Sequence, residues 1–148
     1  MLSREKFVQL PTALLMFIVH RHAEARIMAH LAGHGFEATA AQGRIAARID
    51  EDGSRLTHLA ESAQVTKQTA GFLVDQLEKA GSVERVPDPT DARARLIRIS
   101  QRGKEAQACA REMEQQLDAE FEAHLGPRRM RELRRSLESL REITDPYA

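Results

Sequence analysis

The chain has 148 residues, 42% of them hydrophobic and 30% charged, with 22 basic side chains balancing 22 acidic ones. That is one domain's worth of globular sequence with no net field to draw it to nucleic acid or a membrane, so any affinity for a polyanion must come from local clustering. Cys109 is the only cysteine, which excludes an internal disulfide and a Cys-based structural zinc site and fits a reducing cytoplasm.

The first residues imitate an export signal: Arg4 and Lys6, the apolar stretch Leu10 to Val19, then Ala23-Glu24-Ala25. Glu5, Pro11 and His20-Arg21-His22 each break that layout, and the apolar run is far below the ~20 residues that cross a bilayer. Neither export nor membrane insertion is expected. From Pro11 the apolar positions Leu14, Phe17, Ile18, Ala25, Met28, Ala29 and Ala32 recur mostly at helical steps and predict a long helix ending near Gly33-His34-Gly35. Thr39-x-x-Gln42 is a capping box that opens a second helix running to about Asp50. After the Asp52-Gly53 turn, Leu56 to Ala63 forms a short third helix, followed at once by a new start at Thr66.

Beyond Thr66, Ala70, Leu73, Val74 and Leu77 make a core stripe at i, i+3, i+4 and i+7 that stops at Gly81. Gln68, Thr69, Phe72 and Gln76 take the opposite face, giving a helix-turn-helix pattern. Thr66 is an N-cap that can also touch a phosphate, and Lys67 is placed with Gln68 and Thr69 to meet DNA. Ser82 to Val86 and Ala94 to Ser100 follow as two short strands around a projecting loop at Pro87-Asp88-Pro89-Thr90-Asp91. From Arg93 to Lys104 there are five basic residues, Arg93, Arg95, Arg98, Arg102 and Lys104, and no acidic one, which concentrates positive charge on this hairpin and the start of the next helix, suited to a polyanion.

Ser100 can cap the next helix, whose apolar positions Ala106, Ala110, Met113, Leu117, Phe121 and Leu125 run to Gly126-Pro127. The last helix, Arg128 to about Ile143, carries Met130, Leu133, Leu137 and Leu140 at heptad-like spacing. Together with Leu14, Phe17 and Ile18 these residues, Met113, Leu117 and Phe121 included, offer more apolar stripe than one small core covers, so a helical homodimer is expected. The arginines of the last helix alternate with Glu132, Glu138 and Glu142 and form a solvated face.

The runs Leu56-Thr57-His58-Leu59-Ala60-Glu61, Val65-Thr66-Lys67-Gln68-Thr69 and Leu73 to Arg85 resemble the helix-turn-helix of the MarR family of bacterial transcriptional regulators. Asp88-Pro89-Thr90-Asp91-Ala92-Arg93 through Ile97-x-Ile99-Ser100-x-x-Gly103 is similar to that family's wing and its junction into the fifth helix. The resemblance implies a mainly α, winged helix-turn-helix fold with a small β-hairpin. It implies one domain over 1–148, with a DNA-binding lobe at 39–104 and a dimerisation region of first, fifth and sixth helices at 1–35 and 105–148. The recognition helix would enter the major groove, and Arg93, braced by Asp91, the adjacent minor groove. The partners are then double-stranded DNA at a pseudo-palindromic operator, a second copy of the chain, and a small-molecule effector that releases a repressor. The sequence departs from the family at Ile99-Ser100, where Leu-Thr is usual, and at Phe72, whose ring faces the groove and can touch a thymine methyl.

Two alternatives stay open, a winged-helix module that binds an acidic protein surface and a metal-responsive regulator. For the second, His20, His22, His30 and His34 include i,i+4 pairs, but spacing brings no carboxylate or Cys to them, so no metal is assigned; they could line an effector pocket instead. Cys109 beside Ala106 and Ala110 is expected to be a packed, inert thiol. No Gly-rich phosphate loop, nucleophile elbow or His-Glu-x-x-His motif is present, so neither catalysis nor a cofactor is expected.

Overall fold

A computed structural model describes residues 9–147. Arg4, Glu5 and Lys6 of the imitation export signal lie outside them. Helix α1, Thr12–Gly33, follows Pro11 and closes where Phe36 N–H reaches back to the Leu31 carbonyl (2.9 Å) and Gly35 turns at φ +83°. Its inward stripe differs from the expected one. Of the expected positions Met28 turns inward, but Ala25, Ala29 and Ala32 are exposed, and Ile27 and Leu31 join Met28 in their place. Small alanines fit either face, so the period alone could not choose between overlapping stripes that share Met28.

Helix α2, Ala40–Ala46, opens with both bonds of the capping box: Gln42 N–H to Thr39 Oγ1 and Thr39 N–H to Gln42 Oε1, each 3.2 Å. It stops short of the expected Asp50 because the amides of Arg48 and Ile49 bond three residues back, tightening the chain into a turn. Asp50 and Ser54 close that turn through the Asp50 N–H to Ser54 Oγ bond of 2.9 Å, with Gly53 at φ +100°. Helix α3, Leu56–Ser62, and helix α4, Lys67–Lys79, are joined through Gln64 at φ +57°, and Val65 N–H returns to the Ala60 carbonyl. The predicted stripe of α4, Ala70, Leu73, Val74 and Leu77, is buried in one cluster with Ile45, Leu59, Ala60, Val83 and Ile97. Ile45, Leu59 and Val74 are almost wholly enclosed, so α2, α3, α4 and the hairpin share one core.

Strands β1, Val83–Asp88, and β2, Asp91–Ile99, are longer than expected and pair antiparallel. The expected five-residue loop shrinks to a turn at Pro89-Thr90. Ser54 adds a single bridge to Ile97, with N–H to carbonyl bonds of 2.9 and 2.8 Å. Helix α5, Gln101–Leu125, starts at Ser100, whose hydroxyl accepts Gly103 N–H (3.1 Å) and donates to the Gly81 carbonyl. Gly126, at φ +86°, and Pro127 separate it from α6, Pro127–Thr144. Helix α1 packs along α5, where the Arg26 guanidinium forks onto the Glu120 carboxylate at 2.8 and 2.9 Å. No helix among the described residues is long and apolar enough to cross a membrane.

Candidate nucleic-acid interface

Helix α4 presents its free end outward. Thr66 Oγ1 accepts the Thr69 amide at 3.1 Å and donates to the Thr69 hydroxyl at 2.9 Å, so the cap is a closed local unit. Lys67, Gln68 and Thr69 are exposed and the first turn holds no acid, which leaves the positive end of the helix dipole uncompensated. Phe72 on the same side is 62% exposed, an unusual position for a ring that a core could have taken. Gln76 does not share this freedom. It is half-buried, and its Oε1 accepts Gln42 Nε2 at 3.0 Å, so it fastens α4 to α2. The acids farther along α4 are neutralised, Asp75 and Glu78 each lying 2.7 Å from the Arg85 guanidinium of β1.

The wing is shaped by a large irregularity. Pro87 pairs with Arg95 and Asp88 with Asp91, so Ala92, Arg93 and Ala94 bulge out of the ladder on the β2 side. Asp91 Oδ1 accepts the Arg93 backbone N–H at 3.0 Å, bracing the main chain of the bulge and leaving the guanidinium of Arg93 unengaged. Arg93 and Arg95 are exposed and enter no ion pair among the described residues. The rest of the basic run is not uniform. Arg98 pairs with Glu84 at 2.7 Å, and Arg102 donates to the Gly35 carbonyl at 2.9 Å and lies 5.0 Å over the Phe36 ring.

Asp88 anchors the turn. Its side chain accepts the Thr90 amide (2.8 Å) and hydroxyl (2.7 Å) and pairs with Arg55 at 2.7 Å. Those hydrogen bonds, the Thr90 amide foremost and then its hydroxyl and Arg55, bring the carboxyl down to about 2. Arg55 also stands 3.9 Å from Asp91, so one guanidinium at the start of α3 ties both ends of the turn to the helical core. Sequence reasoning missed Arg55, because 33 residues separate it from Asp88 and no local spacing links them.

The residues expected at a dimer interface divide. Leu14, Phe17, Ile18, Leu133, Leu137 and Leu140 are exposed, Phe17 at 57%, and Phe121 is half-buried. Met113, Leu117 and Met130 are buried within this chain, a correction to their placement: the α1, α5 and α6 packing already covers them. The histidines also need revision. His20 pairs with Glu24, but His30 and His34 meet Cys109, their ligand atoms all within 4.8 Å of one another. A cysteine does converge on them after all. The buried thiol is shifted upward, mainly by desolvation and then by the nearby Glu112 charge.

Residues 34–94 match the sequence model of the MarR family. The winged lobe is similar to that family over these residues. The solved structure of transcriptional regulator Tm0710 from Thermotoga maritima is similar over 90% of this chain and 93% of its own, at 25% identity and a TM-score of 0.64. The reduced form of MarR from E. coli shares the fold, with 22% identity, 88% and 96% coverage and a TM-score of 0.74. So does S. aureus MepR, solved as a DNA complex, with 16% identity, 89% and 97% coverage and a TM-score of 0.69. No curated protein sequence matches the chain. The MarR-like order of helices therefore extends on both sides of the matched segment, over α1 and into α6.

Proposed function

We propose that this chain is a sequence-specific, double-stranded DNA-binding transcription regulator that works as a homodimer, most simply as a repressor in the bacterial cytoplasm. The observation that carries the reading is the pairing of an acid-free, outward helix end at Lys67, Gln68 and Thr69 with a wing whose Arg93, in the bulge, and Arg95, in the ladder beside it, have no counter-ion among the described residues. A folded chain that neutralises Asp75, Glu78 and Glu84 with its own arginines while leaving these two unengaged has charge available for phosphates. The DNA-bound state of the similarly folded MepR supports the same use of the lobe.

In this reading Thr66, Lys67, Gln68, Thr69 and Phe72 meet the major groove, and Arg93 enters the minor groove while Arg95 contacts backbone. Asp91 acts by holding the bulge, and Gln76 by positioning α4. The lobe at 39–104 is carried by a dimerisation region at 1–35 and 105–148, in which exposed Leu14, Phe17, Ile18, Leu133, Leu137 and Leu140 cover one another across two copies. A cavity of about 490 Å³, lined mostly by apolar groups of α1, α2 and α5 with Gln42, Arg44 and Arg111 among the polar ones, sits where the lobe meets those long helices. A small effector wedged there would alter the spacing of the two recognition helices and release the operator.

Titration of the full chain against a random duplex and against the region upstream of its own gene, each at about 50 and 200 mM salt, tests the reading. Expected are a steep loss of affinity with salt, a protected pseudo-palindrome, and a loss of about 1–3 kcal/mol of operator binding in Arg93→Ala. Absence of binding at low salt would favour a protein-interaction module, and an unchanged Arg93→Ala would remove the wing from the interface.

A further inference from the structure

The C-terminal end of α1 and the middle of α5 bring together side chains that neither the DNA-binding reading nor the effector cavity uses. His30 in the last turn of α1 and His34, the residue that caps its C-terminal end, are four positions apart, and Cys109 and Glu112 stand nearly one turn apart on α5, so an i,i+4 and an i,i+3 pair face each other where the two helices pack. The donor atoms of His30, His34 and Cys109 lie within 4.8 Å of one another, and Glu112 Oε2 is 3.4 Å from His30 Nε2. We propose that His30, His34 and Cys109, with Glu112 as fourth ligand, form a binding site for a zinc-class divalent ion that clasps α1 to α5.

Donor chemistry selects the ion class: one thiolate, two imidazoles and a carboxylate suit tetrahedral zinc, whereas magnesium and calcium take all-oxygen shells. Around zinc such donors stand about 3.6 Å apart, as bond lengths near 2.1–2.3 Å in a tetrahedron require. Closure from the present spacing falls to the exposed imidazole of His34, since Cys109 is buried and fixed. The tautomer is already set. His34 Nδ1 must be the protonated nitrogen, because it donates to the His30 carbonyl at 2.8 Å, and this leaves the Nε2 lone pair for the metal. Binding replaces the Cys109 S–H bond with an S–metal bond, and the proton passes to solvent. The clasp would add to the Arg26–Glu120 fork farther along the same helix pair.

The test uses the reduced full chain and Co(II), without DNA, so its outcome is separate from that of the operator titration. One equivalent per chain is expected to give tetrahedral cobalt bands with a thiolate-to-cobalt charge-transfer absorption, and Zn(II) to displace them. Cys109→Ser should abolish the charge-transfer band. His34→Ala, an exposed change that leaves the core intact, should weaken Zn(II) binding at least ~10-fold, the lower bound for losing even an outer-shell partner. A missing charge-transfer band, a band that persists in Cys109→Ser, or His34→Ala titrating like the parent chain would each overturn the site.

Discussion

A Cβ built on Gly103 would stand 2.1 Å from the Ser82 carbonyl oxygen and 2.8 Å from a methyl of Ile99. The first turn of α5 therefore lies directly against the chain entering the wing, and the same carbonyl accepts Ser100 N–H at 3.0 Å. Two effects oppose each other in Gly103→Ala. Alanine improves helix propensity by about 1 kcal/mol, but the clash is with backbone, which cannot swing away as a side chain can. The clash should win, giving a net loss of about 3 kcal/mol and a fall in Tm of roughly 6–12 °C by thermal unfolding. A Tm equal to that of the parent chain would mean that α5 and the wing root are free to separate.

Among the elements, the turn of the wing is anchored by a single carboxylate. Asp88 has an ordinary value of 3.8 brought down to about 2 in the folded chain, so its contribution is fully present above about pH 4 and is lost as pH falls through about 2. The Thr90 amide should accordingly be protected from hydrogen exchange at pH 5 and lose that protection over this acid window, and Asp88→Asn should lack protection throughout. The Thr39 capping box, the Thr66 cap and the Ser100 cap were all legible in the sequence because each closes within three residues. The α4 stripe was legible for the same reason, its four buried positions fixed by one helical period. What escaped was set by distant partners. The Arg55 clamp, the Gln42–Gln76 bond and the paired state of Arg98 each need two elements to be placed first, and Gln76 was assigned to the DNA face for want of that information.

At the level of the whole molecule, Leu14, Phe17 and Ile18 of α1 and Leu133, Leu137 and Leu140 of α6 are among the large apolar side chains that remain in water in a single chain, whereas Met113, Leu117 and Met130 do not. The apolar excess was visible in the sequence, but which residues satisfy the internal core and which are left over depends on how α5 lies against its neighbours. Leu137→Glu should convert a dimer into a folded chain of half the mass by light scattering, whereas Met113→Glu should unfold it; a parent chain that is monomeric would refute the homodimer. The convergence of Cys109 with His30 and His34 was likewise hidden, since it joins residues more than seventy positions apart.

Helix α5 begins at the root of the wing and ends at the α6 boundary as one unbroken 25-residue rod. A rod of that size is about 37 Å long, so a tilt of only ~5° about one end carries the other by roughly 3 Å. It has no proline or kink to absorb such a swing, and its wing end is locked by Ser100 and Gly103. The two halves of the chain are thereby geared together: a small rocking at the far end is magnified into a displacement of the wing root.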